Sequence, residues 1–202
     1  TGLSNYGLIN LDNTDNSSNG SALTISGGNG SLTNFAGGRI VVLDSDDSLT
    51  APHVIAGQLL NYGKLEIDAD LLLGGVSSVL SGANYGDIFL NTGATLTFQG
   101  GTKFTHAAGT FFGDGTVSAS PGLPFINMGL LEPQSSSGST PANITFNSSL
   151  DLHSIGDVGL DIYSGGHDSI TVNGSTFDIE GTIKLNFVDS AAFLDGGSIE
   201  SI

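Results

Sequence analysis

Most of the reactive potential of this chain lies in its 20 Asp and Glu residues and its 4 His, since it contains no Cys. The densest group is Asp44-Ser45-Asp46-Asp47-Ser48. Several oxygens within one loop are what a hard cation such as Ca²⁺ requires. Asp44, Asp46 and Asp47 are therefore candidate calcium ligands, and a solvated acidic turn is the competing reading. The loop lacks the fixed Gly and terminal Glu of an EF-hand. Gly165-Gly166-His167-Asp168 places its Asp too early for a calcium-binding nonapeptide repeat. His53, His106, His153 and His167 are scattered without metal spacing and are expected in turns or on the surface. Paired carboxylates could serve as acid and base on a glycosidic bond. Asn13-Thr14-Asp15, Asp46-Asp47 and Gly166-His167-Asp168 supply the residue types, yet Asp47 and His167 lie 120 residues apart. No G-x-S-x-G elbow occurs. These residues point away from an enzyme and name no cofactor beyond Ca²⁺.

The elements that must position these groups are β-strands. Apolar–polar–apolar triplets recur along the chain, among them Leu23-Thr24-Ile25, Leu65-Glu66-Ile67, Leu96-Thr97-Phe98, Ile144-Thr145-Phe146 and Ile170-Thr171-Val172. Alternation with a period of two marks a strand with one buried face. No stretch carries the helical apolar pattern, so almost no helix is expected. The 31 Gly residues and the abundant Ser, Thr and Asn punctuate the triplets as turns.

A repeat runs through the triplets. Asn5-Tyr6-Gly7-Leu8-Ile9-Asn10-Leu11 returns as Asn61-Tyr62-Gly63-Lys64-Leu65-Glu66-Ile67 and as Asn84-Tyr85-Gly86-Asp87-Ile88-Phe89-Leu90. Weaker copies begin at Asn34 and Asn127. The steps between these Asn residues are 29, 27, 23 and 43, so one copy is degenerate, and Phe112-Gly113-Asp114-Gly115-Thr116-Val117 is the candidate stand-in. Such periods mark a solenoid, in which each repeat is one coil and neighbours bury each other's apolar faces. The predicted fold is a parallel β-helix of eight or nine coils, right-handed because parallel crossovers almost always are. Gly and Asn are expected at corners, where both tolerate positive φ. Asn5, Asn34, Asn61, Asn84 and Asn127 are candidates for an inward amide ladder, and Tyr6, Tyr62 and Tyr85 for an aromatic ladder. Exposed, those rings could instead bind sugars.

Composition limits the partners. The formal net charge is −16, with Arg39, Lys64, Lys103 and Lys184 the only cations. Such a chain repels nucleic acid and anionic membranes. No apolar run is long enough to cross a membrane as a helix, so direct membrane insertion is not expected. Residues 1–202 read as one solenoid domain, with a Ser/Gly-rich loop extruded at 134–142, and as a piece of a longer chain. Sequons such as those at Asn16, Asn143 and Asn173 are expected by chance in so Asn-rich a sequence.

The Asn-x-Gly-x-Leu-x-Leu unit resembles the passenger domains of bacterial autotransporters and the filamentous-haemagglutinin type of secreted adhesin. Gly166-His167-Asp168-Ser169-Ile170-Thr171-Val172-Asn173-Gly174, followed by Gly181-Thr182-Ile183-Lys184-Leu185, is similar to their C-terminal passenger run. The resemblance covers nearly the whole chain as a repeat style. It implies a right-handed β-helix that is secreted or displayed on a bacterial surface, where it acts as a stalk or adhesin for a protein or glycan on a host or neighbouring cell. The alternative is a carbohydrate-binding module using loops 44–53 or 134–142. A polysaccharide hydrolase or lyase is the weaker reading. In polygalacturonase-like enzymes the motif resembling Arg39-Ile40-Val41 follows the Asp pair, whereas here it precedes Asp46.

Overall fold

The computed structural model describes residues 2–13, 19–25, 30–45, 50–74, 82–99, 104–120, 123–135 and 140–188. Those residues form strands and turns, with no helix. The chain advances in coils of three short strands. The first coil holds β1 (Gly2–Asn5), β2 (Leu8–Leu11) and β3 (Ala22–Thr24), and the second β4 (Ser31–Asn34), β5 (Arg39–Val42) and β6 (His53–Ala56). The third holds β7 (Gln58–Asn61), β8 (Lys64–Ile67) and β9 (Leu71–Leu73), and the fourth β10 (Gly82–Asn84), β11 (Asp87–Leu90) and β12 (Thr95–Phe98). The fifth holds β13 (Phe104–His106), β14 (Thr110–Gly113) and β15 (Thr116–Ala119), and the sixth β16 (Pro124–Asn127), β17 (Leu130–Pro133) and β18 (Asn143–Asn147). The seventh holds β19 (Ser149–Leu152), β20 (Asp157–Tyr163), a short return strand β21 (Gly166–His167) and β22 (Ser169–Val172). A final pair, β23 (Phe177–Ile179) and β24 (Thr182–Phe187), closes the described stack.

Equivalent strands stack in parallel into three sheets. The first runs β1-β4-β7-β10-β13-β16-β19-β23, and the second β2-β5-β8-β11-β14-β17-β20 with β24 beyond it. The third is the 7-stranded sheet from β3 to β22. Among the described residues the result is a parallel β-solenoid of seven coils and a closing pair, whose first sheet spans roughly 34 Å at ~4.8 Å per step. That is fewer than the eight or nine coils expected from the repeat period. The early steps are long, at 29 and 27 residues, and residues 189–202 lie outside the described ones. Among the described residues the single antiparallel pairing is the β20–β21 hairpin, with Ile162 opposite His167.

Alternation sets the core. Leu32, Ile40, Ile55, Leu65 and Leu71 are fully buried in the early coils. Phe111, Phe125 and Phe146 take over in the later ones, with Phe104 and Phe125 centred 6.0 Å apart. Each such side chain contributes about 1.5–3 kcal/mol through removal from water. No coil could achieve this alone, because the atoms that cover it belong to its neighbours.

The glycines of the repeat have a different physical cause from the one expected. Gly63 and Gly86 are absent from the positive-φ residues. A Cβ on Gly86 would meet the Gly63 carbonyl at 2.1 Å, and one on Gly63 would meet the Gly38 carbonyl at 2.2 Å. The stacked corners approach backbone to backbone, and only hydrogen fits between them. The repeated Asn residues likewise sit at strand ends with buried side chains rather than at exposed corners.

Candidate functional site

The structure gathers the repeated Asn residues into one inward column. Parallel register sets Asn5 beside Asn34, Asn34 beside Asn61 and Asn61 beside Asn84. Asn5 Nδ2 donates to Asn34 Oδ1 at 2.7 Å. Asn34 Nδ2 donates to Asn61 Oδ1, and Asn61 Nδ2 to Asn84 Oδ1, each at 2.6 Å. Each amide also turns a hydrogen to backbone, as Asn61 does to the Gly63 carbonyl at 3.2 Å. All donors point the same way along the axis. The column satisfies buried polar groups that would otherwise each cost about 1–3 kcal/mol.

The missing rung is His106. It stands opposite both Asn84 and Asn127 in register, so residues 112–117 are not the stand-in expected from spacing. They belong to the end of β14 and the start of β15. His106 is fully buried, as is His53, which corrects the expected surface placement of both. The two ring nitrogens replace the two functions of an amide. Nδ1 accepts from Asn84 Nδ2 at 2.8 Å, and Nε2–H donates to the Leu130 carbonyl at 3.1 Å. This network assigns the neutral Nε2–H tautomer. Burial pushes the His106 pKa down from 6.5 to about 4, against smaller opposing effects of its backbone hydrogen bonds and Asp87. With both nitrogens committed, nothing donates to Asn127 Oδ1, which is buried without a partner. His53 is held similarly: Nδ1 accepts from the Ser21 amide at 3.0 Å and Nε2 donates to the Leu43 carbonyl at 2.7 Å.

Outside the amide column runs a stack of rings. Tyr6 and Phe35 are 4.5 Å apart at 4°, Phe35 and Tyr62 are 6.5 Å apart, and Tyr62 and Tyr85 are 4.8 Å apart at 6°. Phe35, beside Asn34 in a copy with an insertion, joins the three tyrosines. All three tyrosines are exposed. Within the stack each ring covers a face of its neighbour, while Tyr6 at its end is covered by Phe35 on one side and stays 70% exposed. The column ends at the next coil, where Ala107 follows His106.

The candidate calcium loop is only partly described. Asp46 and Asp47 lie outside the described residues. Asp44 follows β5, and its neighbour Ser45 bonds the Asp12 carboxylate through its amide at 3.2 Å and its hydroxyl at 2.8 Å. The loop expected at 134–142 joins β17 to β18, with 136–139 likewise outside the description. Among the described residues no three His, Asp or Glu side chains converge as metal ligands.

The motif around Asp168 proves architectural. Its buried carboxylate accepts the Ala142 amide at 2.9 Å and the Asp161 amide at 3.1 Å, pinning the β20–β21 hairpin to the chain entering β18. Burial raises its pKa, against those two bonds. Glu132 is raised too, by burial and then by repulsion from Asp161 and Asp168. His167 points outward at the hairpin. Arg39 pairs with Glu66, and Lys184 with Asp157 at 2.6 Å.

The outer faces differ in chemistry. The second sheet carries Arg39, Lys64, Glu66, Asp87, Glu132 and Asp157. The third sheet carries no Asp, Glu, Lys or Arg in any of its seven strands. Its outward residues from β12 onward are hydroxyls and amides, a regularity visible only once the coils are in register. No family model, no curated protein and no solved structure matches this chain.

Proposed function

We propose that this chain is a structural and adhesive segment of a secreted bacterial surface protein. In this reading it holds a lateral binding face away from a cell, for a protein or glycan on a host or neighbouring cell. Its coils wind right-handed, as parallel crossovers do. The observation that supports the reading is the use made of the polar side chains. The buried amides bond from coil to coil, as do both buried imidazoles, His106 with Asn84 and His53 with Ser21, and they hold a continuous stack together. Cohesion between identical steps is what a load-bearing spacer requires, because each coil is held by its neighbours. The repeat style points the same way.

The test is attachment under flow. Beads coated with the full 202-residue chain should be retained on bacterial or animal cell layers more strongly than beads coated with an equally acidic globular protein. Equal detachment of the two on every surface tried would overturn the adhesive reading.

A further inference from the structure

Among the described residues the third sheet carries no charged side chain in its strands, in a protein with 20 acidic and 4 basic ones. Across four consecutive coils its outward positions align in two columns. Thr95, Thr116, Thr145 and Thr171 are register partners. Thr97, Ser118 and Asn147 form the second column, which Asn173 extends by donating its Nδ2 to Asn147 Oδ1 at 3.0 Å. The columns repeat at ~4.8 Å along the axis and stand about 6.7 Å apart along the strands. Asn143 braces the array, accepting the hydroxyls of Ser169 and Thr171 at 2.9 Å each.

We infer that this face binds an extended, neutral, β-linked polysaccharide lying along the solenoid axis, about one sugar per coil. Charge selects the partner. A polyanion would find no cation among these strands and would be repelled by the rest of the molecule, and the carboxylates that border the face, Asp70 and Asp114, already accept the Thr95 and Asn143 amides. Hydroxyls and amides both donate and accept, which matches a partner that does the same at every unit. The rise of an extended β-linked hexose chain is comparable to the coil step of ~4.8 Å, so each sugar lies against one rung of the columns. The Thr methyl groups give the sugar C–H faces an apolar floor. Weak contacts repeated over four coils add up on one polymer. This assignment rests on the adhesive reading and names its ligand.

The test is retention of the full chain on insoluble cellulose and on mixed-linkage β-glucan at low and high salt. Alginate serves as the anionic comparison. Retention on the neutral polymers should survive high salt, because no ion pairs are screened, and alginate should retain nothing. Thr116→Val, which keeps shape and removes one hydroxyl, should weaken retention about threefold, and Thr97→Glu about tenfold or more. Tyr62→Ser, on the aromatic ladder, should leave it unchanged, and circular dichroism checks that each variant folds. Failure to bind any neutral polysaccharide would overturn the inference, as would binding lost in salt or left intact by Thr97→Glu. A dimer in analytical ultracentrifugation that Thr97→Glu dissolves would assign the face to a second copy and overturn it too. Attachment to cells without glucan retention would remove this inference alone and leave the adhesive reading standing.

Discussion

Replacing His106 by Asn should change how this protein responds to acid while barely changing its stability at neutral pH. The substitution restores an amide to the one rung of the column that lacks it. Asn at this position can accept from Asn84, donate to the Leu130 carbonyl and present a hydrogen to Asn127 Oδ1, the orphaned buried acceptor. Satisfying that acceptor is worth about 1–3 kcal/mol. Against this stands the loss of the imidazole, whose edge meets Phe111 at a centroid distance of 6.1 Å. The smaller side chain leaves a gap costing about 1–2 kcal/mol. At pH 7 the two nearly cancel.

Acid separates the proteins. The folded state holds His106 neutral down to about 4, whereas the unfolded chain takes up its proton near 6.5. The wild-type protein therefore keeps this contribution in full above pH 6.5 and loses it as pH falls toward 4. The loss amounts to about 3 kcal/mol at about 1.4 kcal/mol per pH unit. The variant has no such proton to take up. Urea unfolding followed by circular dichroism at several values between pH 7.5 and 4 measures the difference, and every other titrating group cancels in it. The variant's advantage should grow by about 3 kcal/mol across that window. Parallel curves for the two proteins would refute the argument, because they would mean that His106 is already solvated or already protonated.

Within the same column, Asn61→Ala should destabilise the fold by about 3 kcal/mol, since it removes the acceptor of Asn34 and the donor to Asn84, while Asn5→Ala at the column's end should cost about 1 kcal/mol. Near-equal losses in urea melts would mean the amides act singly. Gly86→Ala would drive a Cβ to 2.1 Å from the Gly63 carbonyl and should cost about 3 kcal/mol, whereas Gly7→Ala, with nothing within 4 Å, should stay within about 0.5 kcal/mol. A tolerated Gly86→Ala in a thermal melt would show that the corners can spread. Glu132→Gln should stabilise the protein at neutral pH, because burial and the neighbouring carboxylates disfavour its charge. That gain should shrink as pH falls through the raised value of Glu132 and the native carboxyl takes its proton; a gain that is constant down to pH 3 would contradict it.

Strand positions were readable because a buried face on a short strand forces alternation, and triplets such as Leu96-Thr97-Phe98 fall inside β12. The Asn column was readable because its members share an identity. His106 was hidden for the complementary reason. An imidazole and a carboxamide share no side-chain formula, only a pair of hydrogen-bonding functions set on one edge. What equates them is the register Asn84–His106–Asn127. The spacing did hold a clue, since His106 lies 22 residues past Asn84, near the preceding step of 23. Gly in Asn-x-Gly was read as a turn residue, yet its cause is contact with the coil before it, which no single repeat contains. The uncharged third face was illegible for the same reason. Thr95, Thr116, Thr145 and Thr171 stand at unequal intervals in the chain and become a column only in three dimensions.

The amide column has a polarity that explains where the stack changes. Each Nδ2 donates toward the next coil, and the chain of bonds ends at a rung that accepts from one side and donates to backbone. His106 does this through two nitrogens on one rigid ring. At the same coil the outer ring stack stops at Ala107 and the core shifts from aliphatic side chains to Phe104, Phe111 and Phe125. Steps also shorten up to this coil, from 29 residues to 22. Cohesion is thus passed from amides and stacked tyrosines in the early coils to buried phenylalanines in the later ones. The outward positions of the third sheet add a device of the same kind, since Ser169 and Thr171 donate to Asn143, and Asn173 to Asn147, from one coil to the next.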